Sequence, residues 1–126
     1  MNTSRAIKTL AALMFFSPLT LLAATEEQEL RGKNLYAARC SACHSMDYNG
    51  VGPAHRNLLG RKAGTVSDYL YSVALKGSKL VWNEQTLDLW LTNPELLVPG
   101  QKMGINVPDA AERADVITYL KKATQP

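Results

Sequence analysis

The feature that most constrains this chain is the run Cys40-Ser41-Ala42-Cys43-His44. Residues three apart on a helical turn share a face, so both thiols point to the same side, and the imidazole follows directly. Two cysteines and a histidine in this C-x-x-C-H order are typical of haem attachment, in which the thiols form thioethers and the imidazole binds the iron. The run therefore predicts that Cys40 and Cys43 hold one haem c and that His44 is an iron ligand.

The same residues allow three other interpretations. A thioredoxin-like redox pair would begin a helix after a β-strand, whereas residues 25–39 have a helical pattern. A zinc site would need both cysteines together with His44 and His55, at spacings unlike those of zinc fingers. A disulfide between Cys40 and Cys43 would close a loop too small to constrain the chain much. Haem attachment is the interpretation that this residue order favours.

The N-terminus has the pattern of a secretory signal peptide. Arg5 and Lys8 give it a positive start, and residues 9–24 carry no charge. That uncharged run is shorter than the roughly 20 residues that a membrane-spanning helix needs. We therefore expect residues 1–24 to be removed on export to the periplasm and residues 25–126 to form the mature domain. A retained membrane anchor is the alternative.

The charge balance argues against a nucleic-acid-binding role. The chain has 126 residues, with 14 Lys and Arg against 11 Asp and Glu, for a formal net charge of +3. Loss of Arg5 and Lys8 with the signal peptide would leave 102 residues and a charge of +1, too little for a basic binding surface. We expect one small monomeric domain without stable membrane insertion.

Met103 is expected to be the second axial ligand, which decides what a haem iron does. Met46 follows His44 by two residues and is tied to the same side of the haem. Met103 instead lies in a turn-rich loop after the Pro-Gly pair at 99–100. His55 is the rival, although a lone histidine is more often a structural residue. A His/Met pair would leave no open position and would suit one-electron transfer.

These motifs belong to a longer pattern that resembles the class I c-type cytochromes, the small soluble bacterial relatives of mitochondrial cytochrome c. The resemblance covers nearly all of residues 25–126. Its islands are Gly32-Lys33, Cys40–His44, Gly52-Pro53, Leu59–Gly64, Trp82, Leu91–Pro94, Pro99–Met103 and Ile117–Ala123. It implies an all-α cytochrome c fold, with four or five short helices wrapped around one covalently attached haem.

The resemblance also implies roles for individual residues. The Pro53 carbonyl would accept the ring N–H of His44, and Gly32 and Tyr119 would meet where the first and last helices cross. The donors around the haem propionates would be Arg61, Tyr69, Tyr71 and Trp82.

Five positions depart from the mitochondrial pattern. Leu75, Trp90 and Gln101 stand where mitochondrial proteins usually have Asn, Tyr and Thr. From Leu75 and Trp90 we expect a drier pocket beside the methionine. Glu95 and Leu96 replace two lysines on the docking face.

The expected function is one-electron transfer between periplasmic or membrane redox proteins, with iron cycling between Fe(III) and Fe(II) and no catalytic residues. The partners that the resemblance implies are a quinol–cytochrome c reductase, a terminal oxidase, or a periplasmic dehydrogenase or reductase. The alternative is a haem peroxidase or a ligand-binding module. Both of these need a labile distal position.

Caps and apolar stripes predict four helices, which begin after Thr25, Ser67, Asn83 and Asp109. The second would end at Gly77 and the third before Pro94. The inward side chains would be Leu30, Tyr36 and Ala37 in the first helix, Leu70, Tyr71 and Ala74 in the second, Leu87, Trp90 and Leu91 in the third, and Val116, Ile117, Tyr119 and Leu120 in the last.

Overall fold

The computed structural model describes residues 18–126, and its regular structure is helical. The helices are α1 Pro18–Arg39, α2 Val73–Gly77, α3 Glu84–Thr92, α4 Pro94–Leu97 and α5 Ala110–Ala123. Within residues 18–126, β-pairing is limited to one isolated bridge between Lys62 and Val81. The all-α prediction is confirmed. Most of the predicted signal peptide, residues 1–17, lies outside the described residues.

α1 begins at Pro18 rather than after Thr25, so Thr25 lies inside the helix. The residues between them are mostly leucine and alanine, which are strong helix formers and extend the helix toward the N-terminus. Among the described helices, α1 included, none has the length and apolar character needed to cross a membrane.

α1 and α5 cross at Gly32. A Cβ atom at this position would lie 2.0 Å from the carbonyl oxygen of Asp115 and 2.9 Å from the Cβ of Tyr119, so only glycine permits this approach. Arg31 Nε donates to Asp115 Oδ2 at 2.8 Å beside the crossing. The Tyr36 and Tyr119 rings pack 5.3 Å apart on the same side. The predicted contact between the first and last helices is confirmed.

Three side chains that were expected to point inward are exposed: Leu30, Ala37 and Leu70. Gly32 and Tyr36 are four residues apart and share the face that meets α5, whereas Leu30 and Ala37 lie on other faces of the same helix. Leu70 is 90% exposed, lies in an irregular segment and lines the cavity described below.

α2 begins at Val73 instead of after Ser67, and it ends at Gly77 as expected. The cap is Ser72, whose hydroxyl accepts a backbone N–H of the first turn at 3.1 Å. Asp68 has a φ of 58°, in the left-handed region. This conformation interrupts a right-handed helix at the point where one was predicted to start.

α3 and α5 follow their predictions closely. Asn83 Oδ1 accepts the N–H of Thr86 at 2.8 Å, and Asp109 Oδ1 accepts the N–H of Glu112 at 2.9 Å. The buried side chains on the two helices include the apolar residues Leu87, Trp90, Leu91, Val116, Ile117 and Leu120. Tyr119 is half-buried.

Pro94 begins a further helical turn as well as marking the end of α3. It is the first residue of α4, where its missing N–H costs nothing. Asn93 ends α3 and caps α4, since its side chain accepts the N–H of Leu96 at 3.0 Å. α4 leads into residues 98–108, named the methionine loop here because it carries Met103.

Candidate functional site

Cys40 and Cys43 lie on a helical turn that continues α1. The N–H of Cys40 donates to the Tyr36 carbonyl at 2.9 Å, and the N–H groups of Cys43 and His44 donate to the Cys40 carbonyl at 3.0 and 2.9 Å. The turn expected for this motif is therefore present, and all three residues line one cavity. Burial raises the pKa of the Cys40 thiol to about 11.

The His44 ring is fixed in one orientation. Its Nδ1 lies 2.8 Å from the carbonyl oxygen of Pro53. A carbonyl only accepts, so Nδ1 carries the hydrogen and the lone pair lies on Nε2. Burial lowers the pKa of His44, against the opposing effect of the Pro53 carbonyl, and this favours the neutral ring. A neutral imidazole with its lone pair on Nε2 is the form that binds a metal ion.

Gly52 gives the His44 ring its space. A Cβ at this position would lie 2.2 Å from Cε1 of the imidazole and 2.5 Å from Nδ1. Any larger residue would displace the ring or the backbone. Gly52 therefore leaves room for the His44 ring, and the Pro53 carbonyl orients that ring through a hydrogen bond.

His55 packs against His44. The two ring centroids are 4.2 Å apart with 23° between the planes, and His55 Nδ1 lies 3.1 Å from the Tyr36 hydroxyl. Burial, with further contributions from the nearby His44 and Arg61, lowers the pKa of His55 to about 3. A ring stacked on His44 lies on the same side of the cavity as His44. This position does not favour His55 as a ligand opposite His44.

One cavity brings the predicted site residues together. Its volume is about 420 Å³, and its wall is largely apolar. Such dimensions and lining suit a small organic group. The residues that line it include Cys40, Cys43, His44, Pro53, Arg61, Tyr69, Tyr71, Trp82 and Met103. Two thiols and a lone-pair imidazole on an apolar wall fit a flat, largely apolar macrocycle that carries iron.

Met103 enters the cavity wall from the methionine loop. Its Sδ accepts a hydrogen bond from the indole Nε1 of Trp90 on α3 at 3.1 Å. Trp82 packs edge-on against Trp90, with ring centroids 5.3 Å apart, and Leu75 lines the same cavity. A thioether is a soft ligand of the kind that haem iron accepts. The chain can therefore offer the iron a nitrogen from His44 and a sulfur from Met103.

The predicted propionate donors differ in what they can still donate. Arg61 uses two of its N–H groups on backbone carbonyls, at 2.6 and 3.0 Å, and a guanidinium has five. The Tyr71 hydroxyl accepts the N–H of Val66 at 3.3 Å and keeps its own hydrogen to donate. The Tyr69 hydroxyl donates its single hydrogen to the Val51 carbonyl at 2.6 Å. Arg61 and Tyr71 are therefore better placed than Tyr69 to bind an anionic group.

The four-ligand zinc alternative gains no support from the geometry. Within residues 18–126, no three side chains of His, Cys, Asp or Glu converge on a position where a metal ion could be held. An iron ion in this cavity would depend on the equatorial nitrogens of a macrocycle, with the protein supplying axial ligands.

Sequence reasoning missed three contacts at the site. They are the Trp90–Met103 hydrogen bond, the stacking of His55 on His44, and a hydrogen bond between the Gln101 side chain and the backbone N–H of Met103. A buried indole N–H needs a hydrogen-bond acceptor, so the predicted burial of Trp90 was a signal that such an acceptor lies nearby. The stacking of His55 on His44 leaves no local signal, because it depends on how the irregular segments pack, whereas the Gln101 contact joins residues only two apart.

Comparisons with known proteins identify the family of this chain. A family model described as Cytochrome c matches residues 30–124. A cytochrome c from Gibberella zeae is 40% identical over 99 residues, covering 75% of this chain and 93% of that protein. A cytochrome c-type cyt cy from Rhodobacter capsulatus is 41% identical over 91 residues, covering 71% of this chain and 46% of that protein. The solved structure of cytochrome cH from Methylobacterium extorquens superposes with a TM-score of 0.70 at 40% identity, over 74% of this chain and 96% of the other.

Proposed function

This chain belongs to the cytochrome c family, and we propose that it carries single electrons on a haem iron held between His44 and Met103. Its cofactor is covalently attached haem c, and Cys40 and Cys43 are the two cysteines of the sequence. The observation that carries the proposal is that His44 and Met103 line the same cavity, and that the Pro53 carbonyl leaves the lone pair of His44 on Nε2.

The protein residues set the ligand field and keep it fixed. Pro53 holds the Nδ1 hydrogen of His44, which orients the imidazole and increases its basicity. With His44 and Met103 as its two protein ligands, the iron would have no open coordination position and a raised reduction potential. The haem itself supplies the reversible Fe(III)/Fe(II) couple. Since neither ligand has to leave, little of the protein needs to rearrange on electron transfer.

Arg61 and Tyr71 are proposed to bind the haem propionates. Both line the cavity, and both retain hydrogens that backbone groups do not use. Trp82 lines the same cavity and is 7% exposed. We include Tyr69 as a shaping residue of this region, because its hydroxyl is committed to the Val51 carbonyl.

The proposed partners are other redox proteins: a quinol–cytochrome c reductase, a terminal oxidase, or a periplasmic dehydrogenase or reductase. Complexes of this kind are small and transient. Several surface cations are already paired with acids within the chain. Arg39 lies 3.0 Å from Glu112, and Lys121 lies 2.7 Å from Glu84. Charge steering would therefore depend on local arrangement rather than on the net charge.

Export to the periplasm is proposed from residues 1–24, with residues 25–126 as the mature domain. The positive start and the short uncharged run support it. The intact mass of the exported protein tests this boundary. A mass equal to residues 25–126 plus one haem is expected, and a mass that includes residues 1–24 would contradict it.

The peroxidase and ligand-binding alternatives are not favoured. A peroxidase needs a labile distal position and an acid–base group beside it. His55, the second histidine of the chain, stacks on His44 instead. With Met103 as ligand, the distal position is closed to small molecules as well.

The ligand assignment can be tested with two matched methionine variants. In Met103→Leu holoprotein, we expect the ferric iron to lose the weak long-wavelength absorption band of an Fe(III)–Met bond. Met46→Leu is the control, because Met46 packs against the core outside the cavity and should keep the band. Retention of the band in Met103→Leu would overturn the assignment.

A further inference from the structure

The methionine loop is held at its two ends by different means. At the far end, the N–H of Val107 donates to the Leu91 carbonyl at 2.7 Å. Arg113 then donates to the carbonyls of Val107 and Pro108, at 3.0 and 2.8 Å. At the near end, the turn at Gly100 has a φ of 86°. Residues 104–106, between these ends, are exposed, and within the described chain they form no hydrogen bonds.

A chain of three side-chain hydrogen bonds supports the near end. Glu95 Oε1 accepts the N–H of Gly100 at 2.9 Å. Glu95 Oε2 accepts a hydrogen from Gln101 Nε2 at 3.3 Å. The other end of the same amide, Gln101 Oε1, accepts the backbone N–H of Met103. The chain of contacts begins on α4 and ends at the backbone of the proposed iron ligand.

The residue types in this chain are the ones that its hydrogen-bond directions require. A carboxylate only accepts, and a backbone N–H only donates. The residue between them must donate at one end and accept at the other, and a glutamine amide does both. Its carbonyl faces the Met103 N–H, so its NH₂ must face Glu95, where it finds an acceptor. The donors and acceptors therefore match at every step from Met103 through Gln101 to Glu95, and the hydrogen bonds form one connected set.

We propose that Glu95 and Gln101 are positioning residues that hold the backbone of Met103 and thereby slow its release from the iron. The inference rests on the proposed function, in which Met103 is the distal ligand. For the sulfur to leave the iron, the loop around Met103 must move away from α4 and the cavity, and this breaks either the bond from Met103 to Gln101 or the bond from Gln101 to Glu95. This chain of hydrogen bonds, called the relay below, therefore adds a barrier to opening of the methionine loop at the end that Arg113 does not reach.

The test measures how fast added imidazole replaces Met103 in the ferric holoprotein, followed by loss of the Fe(III)–Met absorption band. In Gln101→Leu, the side chain keeps its approximate size but loses both hydrogen bonds. The exchange rate should rise roughly tenfold, as expected for the loss of about one net hydrogen bond. Glu95→Ala should also raise the rate, because the Gln101 amide then loses its second support.

The double variant and a control make the result specific. Since the bond from Gln101 runs through Glu95, the effect of Gln101→Leu with Glu95→Ala should be smaller than the product of the two single rate increases, with only the Gly100 contact of Glu95 adding to the effect of Gln101→Leu. Gln85→Leu, at an exposed position on α3, should exchange at the unmodified rate. Thermal unfolding of each variant identifies any global loss of stability. Arg113 and its contacts remain intact in every variant.

The possible failures are distinguishable. If the unmodified protein shows the Fe(III)–Met band but Gln101→Leu exchanges at the same rate, the relay proposal is wrong and the ligand assignment stands. If the unmodified protein has no such band, the ligand assignment is wrong and the relay proposal falls with it. Additive effects in the double variant would also contradict a relay acting in series.

Discussion

The indole Nε1 of Trp90 donates a hydrogen bond to the Sδ of Met103 at 3.1 Å. Trp90 is 6% exposed, so its N–H has left water and needs an acceptor. The thioether supplies one lone pair to the indole and retains a second, which is the one that the proposed bond to iron would use. An apolar pocket was expected from Trp90 and Leu75, and the structure adds a polar contact to the sulfur within that pocket.

Trp90→Phe should lower the reduction potential. The N–H withdraws electron density from the sulfur and so disfavours Fe(III), which needs the stronger donor. A difference of about 1 kcal/mol between the oxidation states corresponds to a shift of about 40 mV for one electron. Potentiometric titration measures the shift, and thermal unfolding reports separately the packing lost with the larger ring. An unchanged or higher potential would show that the bond does not tune the iron.

Tyr36 and His55 should behave as a coupled pair. Tyr36→Phe leaves His55 Nδ1 without its partner at 3.1 Å, and His55→Leu leaves the hydroxyl of Tyr36 unpaired. Each change should cost about 1–2 kcal/mol in the free energy of unfolding, because an unpaired buried polar group keeps its desolvation cost.

The double variant decides whether the two effects arise from one bond. Replacing both partners by apolar groups leaves no polar atom unpaired. The double variant should therefore lose about 1 kcal/mol less unfolding free energy than the two single variants lose together. Denaturant unfolding of the four proteins gives the coupling energy. Strict additivity would mean that the hydrogen bond does not contribute to stability.

Local sequence predicted the structure where the determinants are local. Asn83 and Asp109 each cap a helix through an oxygen that reaches three residues ahead, and an apolar stripe follows at once. Such signals need no knowledge of the rest of the fold. The C-x-x-C-H turn is of the same kind, because its thiols and imidazole lie within five residues.

Prediction failed where distant contacts decide the backbone. Ser67 looked like a helix cap, but Asp68 takes a left-handed conformation, and Tyr69 is held by the carbonyl of Val51. The stacking of His55 on His44 likewise depends on a fold in which the chain returns past His44. These arrangements arise from tertiary packing, which propensity and periodicity do not describe.

Arg113 should be worth more to the fold than an ordinary surface arginine. It is 9% exposed and joins Asp88 on α3, at 2.7 Å, to two carbonyls of the methionine loop. Arg113→Ala would leave these acceptors unpaired and should destabilise the holoprotein by about 2 kcal/mol.

Arg39→Ala is the matched control for this variant. Arg39 pairs with Glu112 at 3.0 Å, but its side chain is 41% exposed. Loss of such a pair should cost less than about 1 kcal/mol. Equal losses in the two variants, measured by thermal unfolding, would contradict the special role given to Arg113.

Gly32→Ala should disrupt the crossing of α1 and α5. The added methyl group would lie 2.0 Å from the Asp115 carbonyl oxygen, which is backbone and cannot rotate away. We expect a loss of about 3 kcal/mol or more in unfolding free energy, because the helices must separate. Gly77→Ala is the control, since a Cβ there meets nothing within 4 Å. A stable Gly32→Ala variant would refute the close packing at this crossing.

Whether His44 and Met103 hold the iron for one-electron transfer can be read from a potentiometric titration of the exported holoprotein followed by absorption. We expect one Nernstian transition of a single electron. The Fe(III)–Met band should be present at high potential and vanish as the iron is reduced, with the iron six-coordinate throughout. A ferric spectrum without that band, or a five-coordinate iron in either state, would contradict it.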